Sequence, residues 1–191
     1  MKKQPVFSLA STGLALLLGT APALAQTSAA PAAPARRWGL ETSPVYPLFA
    51  KNYLLQGTYV LWQHNALKGE LVLGAEYLNH TQADKEIREE LGWYYLVGYR
   101  QYLWKGLSVQ LTDFIATQLK VTSDLDGRQY NGSANVFEAF AGYKLQFHQG
   151  TSRFYVLPQV GLAKELSVEN PWPGRDPKVE FIPNILIGIN F

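Results

Sequence analysis

The feature that most constrains the fold is an alternation of apolar and polar residues with a period of two, which recurs along the chain in segments of about ten residues. It is clearest in the last twelve positions. There, one face would carry Phe181, Pro183, Ile185, Ile187, Ile189 and Phe191. Because residues two apart on a β-strand point to the same side, each such segment has one continuous apolar face. These faces must be covered either by a core or by lipid.

The alternation predicts eight strands, at residues 37–46, 53–63, 69–79, 91–104, 107–121, 134–148, 152–165 and 180–191. The connections between them alternate in length. Those at 64–68, 105–106 and 149–151 are short, whereas those at 79–90, 122–135 and 166–180 are long and polar, and only 47–52 departs from the rule. Short turns opposite long loops are typical of outer-membrane barrels. We therefore predict an all-β fold, a single antiparallel up-and-down transmembrane β-barrel of about eight strands, over residues 37–191.

The N-terminus has the pattern of an export signal. Lys2 and Lys3 precede an apolar stretch from Phe7 to Leu18, and Ala23-Leu24-Ala25 forms a small-x-small cleavage site. We predict a signal peptide at 1–25, followed by an Ala/Pro-rich disordered tether at 26–36. The expected location is the outer membrane of a Gram-negative cell, reached through the periplasm.

Composition excludes several classes of function. The chain has no cysteine, which rules out disulfides, thiolate zinc sites and thiol nucleophiles. Its formal charge is +2 without any Lys/Arg run, so nucleic acid is not an expected partner. No motif indicates a metal or a cofactor, and we assign no catalytic, cofactor-binding or metal-binding residue.

Aromatic residues make up 13% of the chain, and many fall on the predicted outer face near the strand ends. The predicted loop-side group is Tyr46, Tyr77, Trp93, Tyr95, Phe137 and Phe181, and the turn-side group is Trp38, Phe147, Phe154 and Phe191. Two aromatic belts are what the two interfaces of a membrane favour.

The opposite face is predicted to line a polar interior. It would carry Glu41, Glu70, Arg100, Gln110 and Lys144 in the turn-side half, and Glu76, Lys120 and Glu138 nearer the loops. The inward glycines, Gly74, Gly98, Gly142, Gly161 and Gly188, would leave room for large neighbours. We interpret this interior as a side-chain-filled plug. The alternatives are a gated ion or proton path, or a catalytic carboxylate pair.

Some positions depart from the pattern. Strand 53–63 is apolar on both faces, Asp113 falls on the outer face, and Pro158 has no N–H to give to a ladder. A β-bulge near Asp113 or Pro158 would restore the register. In the connection 79–90, Thr81 followed by Asp84 and the run to Leu91 has the signature of a short capped helix on the rim.

Three histidines and one loop are candidates for chemistry or recognition. His64 and His148 lie beside predicted turns, where a solvated histidine is common. His80 and Asp84, with Ser123 or Ser133, contain the residue types of an acyl-transfer or hydrolytic set. The segment 170–177 either presents Trp172 for recognition or forms a turn.

Taken together, the signal sequence, the alternating strands, the unequal connections, the aromatic groups and the final strand NILIGINF resemble the small OmpA/OmpX-type outer-membrane barrels. The resemblance covers about residues 37–191 and is architectural. It implies that the barrel-insertion machinery recognises the last strand through Phe191. The chain departs from OmpA in showing no second, peptidoglycan-binding domain, and it matches no local motif of the lipid-A deacylases or palmitoyltransferases.

We expect a non-enzymatic, porin-like integral outer-membrane protein with a filled polar lumen and surface-exposed loops, in a structural or surface-interaction role. Outer-membrane lipids would be its surroundings. One alternative is a lipid-modifying outer-membrane enzyme that uses His80. Another is a lipocalin-like periplasmic carrier, in which the alternation would be reversed, apolar inside and polar outside.

Overall fold

A computed structural model describes residues 37–49, 51–84, 87–147, 153–169 and 179–191. The predicted signal peptide and tether, His148 and Trp172 lie outside these ranges, as do the side chains of His80 and Asp84.

The described chain is almost entirely β-structure. Its elements in chain order are β1 (Trp38–Thr42), α1 (Val45–Phe49), β2 (Asn52–His64), β3 (Leu67–Asp84), β4 (Ile87–Trp104), β5 (Leu107–Ser123), β6 (Gln129–Tyr143), β7 (Leu145–Gln146), β8 (Phe154–Glu169) and β9 (Val179–Asn190). All-β architecture is thus confirmed.

These strands form one antiparallel sheet that closes on itself in a ring. Each strand from β1 to β6 pairs with the next, β6 pairs with β8, β8 with β9, and β9 with β1. At the seam, the N–H of Phe191 donates to the carbonyl of Trp38 at 2.8 Å. The two-residue β7 continues β6 beyond Lys144, and both pair with β8. The ring therefore has eight strand positions, as predicted.

The strands are staggered around the ring. Starting at Tyr155 in β8, the register passes through the other strands and returns to β8 at Glu165, ten residues further along. Such a stagger requires the strands of a closed sheet to tilt by roughly 35–45°. The predicted short turn at Lys105–Gly106 is present, with φ of 39° and 100°. Positive φ at both positions suits a two-residue hairpin.

The two faces of the sheet have the composition that the alternation predicts. Arg100, Glu41 and Glu70 point inward and are buried, whereas Trp38, Phe154 and Phe181 point outward with 62%, 62% and 66% of their surface exposed. An apolar cluster that includes Val72, Leu157 and Leu186 also fills the interior.

Two irregularities explain where the predicted faces were wrong or ambiguous. In β2 a bulge between Val60 and Trp62 shifts the register, and Leu54, before the bulge, belongs to the apolar interior cluster, so the segment is apolar on both faces. In β5 the register shifts between Ala116 and Leu119, and not at Asp113. Beyond this shift the alternation is reversed. Lys120 is therefore exposed, and its predicted place in the interior is wrong.

The predicted bulge at Pro158 is also wrong. The register of β8 is the same on both sides of Pro158, but the pairing with β6 ends at Gly142 and resumes at Leu145 in β7. Proline has no N–H for the ladder, so the strand opposite it is interrupted between β6 and β7. The N–H of Lys144, which lies in this interruption, donates to the carbonyl of Gly106 at 2.9 Å. Asp113 remains on the outer face, half-buried, where Asn135 Nδ2 donates to its Oδ2 at 3.4 Å.

The predicted rim helix from Thr81 to Leu91 is wrong, because β3 continues to Asp84 and pairs with β4, which begins at Ile87. The helix lies instead in the connection between β1 and β2. Ser43 Oγ accepts the N–H of Tyr46 at 3.3 Å, which caps α1. Tyr46 is consequently buried, and its predicted place in the outer loop-side aromatic group is wrong. Across the described ranges, no helix has the length and hydropathy needed to span a bilayer.

Candidate functional site

Arg100 on β4 lies at the centre of the turn-side half of the interior. Its guanidinium makes a two-pronged ion pair with Glu41 on β1, with N–O distances of 2.6 and 2.7 Å. Its Nε donates to Gln110 Oε1 at 2.8 Å, and Nη1 reaches Glu70 Oε2 at 3.3 Å. A fork of donors facing a carboxylate is the geometry that best compensates a buried arginine.

Glu41 receives two further hydrogen bonds from other strands. Gln56 Nε2 on β2 donates to Oε2, and the hydroxyl of Tyr155 on β8 donates to Oε1, both at 2.5 Å. With Arg100, these donors bring residues from three other strands to one carboxylate. The charge of Glu41 is therefore fully compensated although the residue is buried.

Two lysines complete this group at its turn-side end. Lys68 pairs with Glu70 at 2.6 Å and lies 4.2 Å above the ring of Tyr102. Lys144 lies 3.6 Å above the ring of Tyr155 and donates to Asn190 Oδ1 at 3.4 Å. We refer to the whole set as the turn-side cluster: Glu41, Gln56, Lys68, Glu70, Arg100, Tyr102, Gln110, Lys144, Tyr155 and Asn190.

Glycines make room for the large members of the interior, as predicted. A Cβ on Gly188 would overlap the ring of Tyr155, and a Cβ on Gly161 would overlap the ring of Phe140. The interior of an eight-stranded barrel is only just wide enough for side chains. Each of these aromatic side chains therefore needs a residue without a side chain next to it.

A second polar group lies nearer the long loops. We call it the loop-side cluster: Glu76 on β3, Glu138 on β6, Asn52 on β2 and Tyr46 on α1. Asn52 Nδ2 donates to Glu76 Oε1 at 2.5 Å, and Glu138 interacts electrostatically with Glu76. Burial, followed by the negative charges of Glu138 and Glu76, raises the pKa of the Tyr46 phenol well above its usual value.

The helix that carries Tyr46 is fixed to the opposite side of the seam. The hydroxyl of Ser43 donates to Asn184 Oδ1 on β9 at 2.6 Å, while the same oxygen caps α1. One residue thus ends β1, starts α1 and connects both to the last strand.

The structure brings most of the predicted interior residues together. Glu41, Glu70, Arg100, Gln110 and Lys144 all belong to the turn-side cluster, and Glu76 and Glu138 belong to the loop-side cluster. The prediction omitted Asn52, Gln56, Lys68 and Tyr102. Asn52 and Lys68 had been assigned to connections, and Gln56 lies in the strand with the ambiguous pattern. The inward direction of Tyr102 could have been predicted, since it lies two positions from Arg100 on the same strand.

The histidine and serine candidates are not united by the described contacts. His64 is exposed at the end of β2, with its Nε2 3.3 Å from Asn65 Nδ2. Ser123 is buried, and its Oγ accepts the N–H of Leu125 at 3.1 Å. Because the side chains of His80 and Asp84 lie outside the described part, the acyl-transfer set stays a prediction.

Within the described residues, no group of three or more His, Asp or Glu side chains has the arrangement of a metal site. No family model matches the chain, and no curated protein or solved structure matches it either. The arrangement by itself supports one physical role for the turn-side cluster: it fills and cross-links the interior of the ring with compensated charge.

Proposed function

We propose that the chain is an integral outer-membrane β-barrel protein with a side-chain-filled polar lumen and surface-exposed loops, in a structural or surface-interaction role without catalysis. One observation carries the proposal: the sheet is inverted relative to a water-soluble protein. Ionised side chains such as Arg100 and Glu41 are buried inside, and large apolar side chains cover the outside. Water would make that outer surface unfavourable, whereas lipid makes it favourable.

The outer aromatic residues support the same proposal. Tyr53, Trp93, Tyr95, Phe137 and Phe181 are exposed toward the loop-side ends of their strands, and Trp38, Phe147, Phe154 and Phe191 toward the turn-side ends. Between the two groups the exposed residues are mainly aliphatic, among them Leu73, Ile185 and Ile187. An apolar band between two aromatic rows fits a bilayer with its two interfaces.

The filled interior defines what such a barrel does not do. Every strand position of the ring contributes a side chain to the turn-side cluster, whose charges are held by hydrogen bonds and ion pairs. We therefore propose that the barrel conducts no significant ion current. The barrel would contact outer-membrane lipids along the apolar band and surface partners at its loops.

Delivery to the membrane belongs to the proposal as well. The predicted signal at 1–25 would direct export, and the last strand, ending at the exposed Phe191, would be recognised by the barrel-insertion machinery. This role of Phe191 rests on the resemblance to small outer-membrane barrels.

The test is to express the full chain with its signal in a Gram-negative host and to fractionate the cells. The expected result is a protein that stays with outer membranes after carbonate washing and migrates differently in detergent gels before and after boiling. A protein recovered from the periplasm in soluble form, with no shift on boiling, would contradict the proposal. That result would instead favour the carrier interpretation.

A further inference from the structure

The loop-side cluster contains two buried carboxylates without a basic partner. Glu76 and Glu138 are 6% and 8% exposed, and neither takes part in an ion pair of the described residues. They interact electrostatically with each other. Two interacting carboxylates in an interior are unfavourable in their ionised form unless something positive compensates them.

Asn52 adds an independent observation. It is 8% exposed, its Nδ2 donates to Glu76, and its Oδ1 is buried without a partner. The Asn52 amide group therefore lies at the Glu76 carboxylate. A buried acceptor with no donor is uncommon and requires an explanation. The two carboxylates also have few donors: Glu76 accepts from Asn52, and no described hydrogen bond involves Glu138.

The polar atoms of the loop-side cluster are mostly oxygens. Besides the two carboxylates and the amide oxygen of Asn52, the cluster includes the hydroxyl of Tyr46, which interacts electrostatically with both carboxylates. Hard divalent cations prefer carboxylate and amide oxygens. One divalent ion also balances two carboxylates.

We propose that Glu76, Glu138 and Asn52 bind a single divalent cation of the calcium type, beneath Tyr46. Calcium fits better than magnesium because it accepts irregular arrangements of oxygen ligands, while magnesium demands a near-octahedral set and gives up water reluctantly. The site combines β2, β3 and β6 and is covered by α1. Cation binding would therefore connect distant strands of the ring at its loop-side end, where the arginine-centred ion pairs do not reach. This inference depends on the interior alone and not on membrane insertion.

The experiment uses the full chain, purified in a non-ionic detergent without acidic headgroups and stripped of metals with EDTA. Calcium chloride is titrated by calorimetry, and thermal unfolding is followed with and without calcium. We expect one equivalent to bind and the unfolding midpoint to rise. Magnesium chloride should bind more weakly.

Three variants make the test specific. Glu138→Gln removes one charged ligand at constant volume, and Asn52→Ala removes the amide oxygen. Each should weaken calcium binding roughly 10-fold or more, the scale of effect seen when groups supporting a metal site are lost. Asp113→Asn is the matched control, because Asp113 is also a carboxylate of the ring, half-buried, but lies on the outer face. It should bind calcium like the unsubstituted chain.

The folding of each variant is checked by its gel shift on boiling, since Glu138→Gln relieves a repulsion and should fold. Unchanged calcium affinity in both Glu138→Gln and Asn52→Ala would overturn the site. So would an unfolding midpoint that responds to pH but not to calcium, which would mean that the two carboxylates share a proton only.

Discussion

The two polar clusters inside the ring differ in how their charges are compensated. In the turn-side cluster, Arg100 and Glu41 satisfy each other through two short hydrogen bonds, and neighbouring strands supply the remaining partners. In the loop-side cluster, Glu76 and Glu138 have the same sign, and the nearest described donor to either is an amide. Burial is nearly the same in both. Burial alone therefore does not tell whether an interior charge supports the fold or is available to bind something.

The largest expected effect comes from removing the shared cation of the turn-side cluster. Arg100→Met keeps most of the volume but leaves Glu41 buried without a cationic partner and Glu70 with Lys68 alone, which should lower the free energy of unfolding by about 3–5 kcal/mol. Urea unfolding in detergent micelles measures it. Arg88→Met is the control, because its ion pair with Asp124 is exposed and should contribute no more than about 1 kcal/mol. Equal losses in the two variants would contradict the central role of Arg100.

A second prediction concerns the space beside Tyr155. Gly188→Ala would place a methyl group against the ring of Tyr155, whose hydroxyl donates to Glu41. We therefore expect the free energy of unfolding to fall by about 1–3 kcal/mol from overpacking. A Cβ on Gly57 would meet only ordinary contacts, at 3.8 Å. Gly57→Ala should be neutral or slightly stabilising in the same urea titration. If both alanines are tolerated, Tyr155 is not fixed as the structure has it.

The third prediction is that neutralising a glutamate changes the free energy of unfolding in opposite directions in the two clusters. In EDTA and at alkaline pH, where both carboxylates of the loop-side cluster are ionised, Glu138→Gln should raise the free energy of unfolding by about 1 kcal/mol, because it removes a like-charge repulsion. Glu41→Gln should lower it, because it breaks a compensated pair. The same unfolding assay compares them. Destabilisation by both substitutions would mean that Glu138 has a positive partner after all.

The smallest effect is expected outside the clusters, at the connection between β5 and β6. The Tyr130 hydroxyl donates to Asp126, and this hydrogen bond, with that from the N–H of Arg128, lowers the pKa of the Asp126 carboxyl. A lowered pKa adds stability above the unfolded-state pKa, which is lost as the pH falls through the folded-state pKa. Asp126 is exposed and Tyr130 is only half-buried, so the gain is small. In Tyr130→Phe, an NMR titration should show the Asp126 pKa returning toward its ordinary value.

The sequence predicts the sheet well wherever alternation runs without interruption. In β9 and β8, period two assigns each residue to the face on which the structure has it, and the ring of eight follows from counting such segments. The errors have local causes. A register shift between Ala116 and Leu119 reverses the faces beyond it, and no residue type marks that shift, so Lys120 could not be placed correctly.

The connection to α1 was different, because its signal was present. Ser43 followed by Pro44 is an N-cap and first-turn pair, which indicates a helix start. The pairing within the interior is the part that sequence cannot provide. Arg100 and Glu41 are far apart in the chain, and only closure of the ring, with its ten-residue stagger, brings them together.

The central claim, that the outer face contacts lipid, is tested most directly by one pair of substitutions. Leu73 and Leu125 are similarly exposed, at 50% and 58%, but only Leu73 lies between the aromatic rows, while Leu125 is in the turn after β5. Folding into lipid bilayers is measured for Leu73→Arg and Leu125→Arg. We predict a loss of about 2–4 kcal/mol for Leu73→Arg and a change within about 0.5 kcal/mol for Leu125→Arg. Neutral behaviour of both, in a protein that folds without lipid or detergent, would contradict a membrane-embedded barrel.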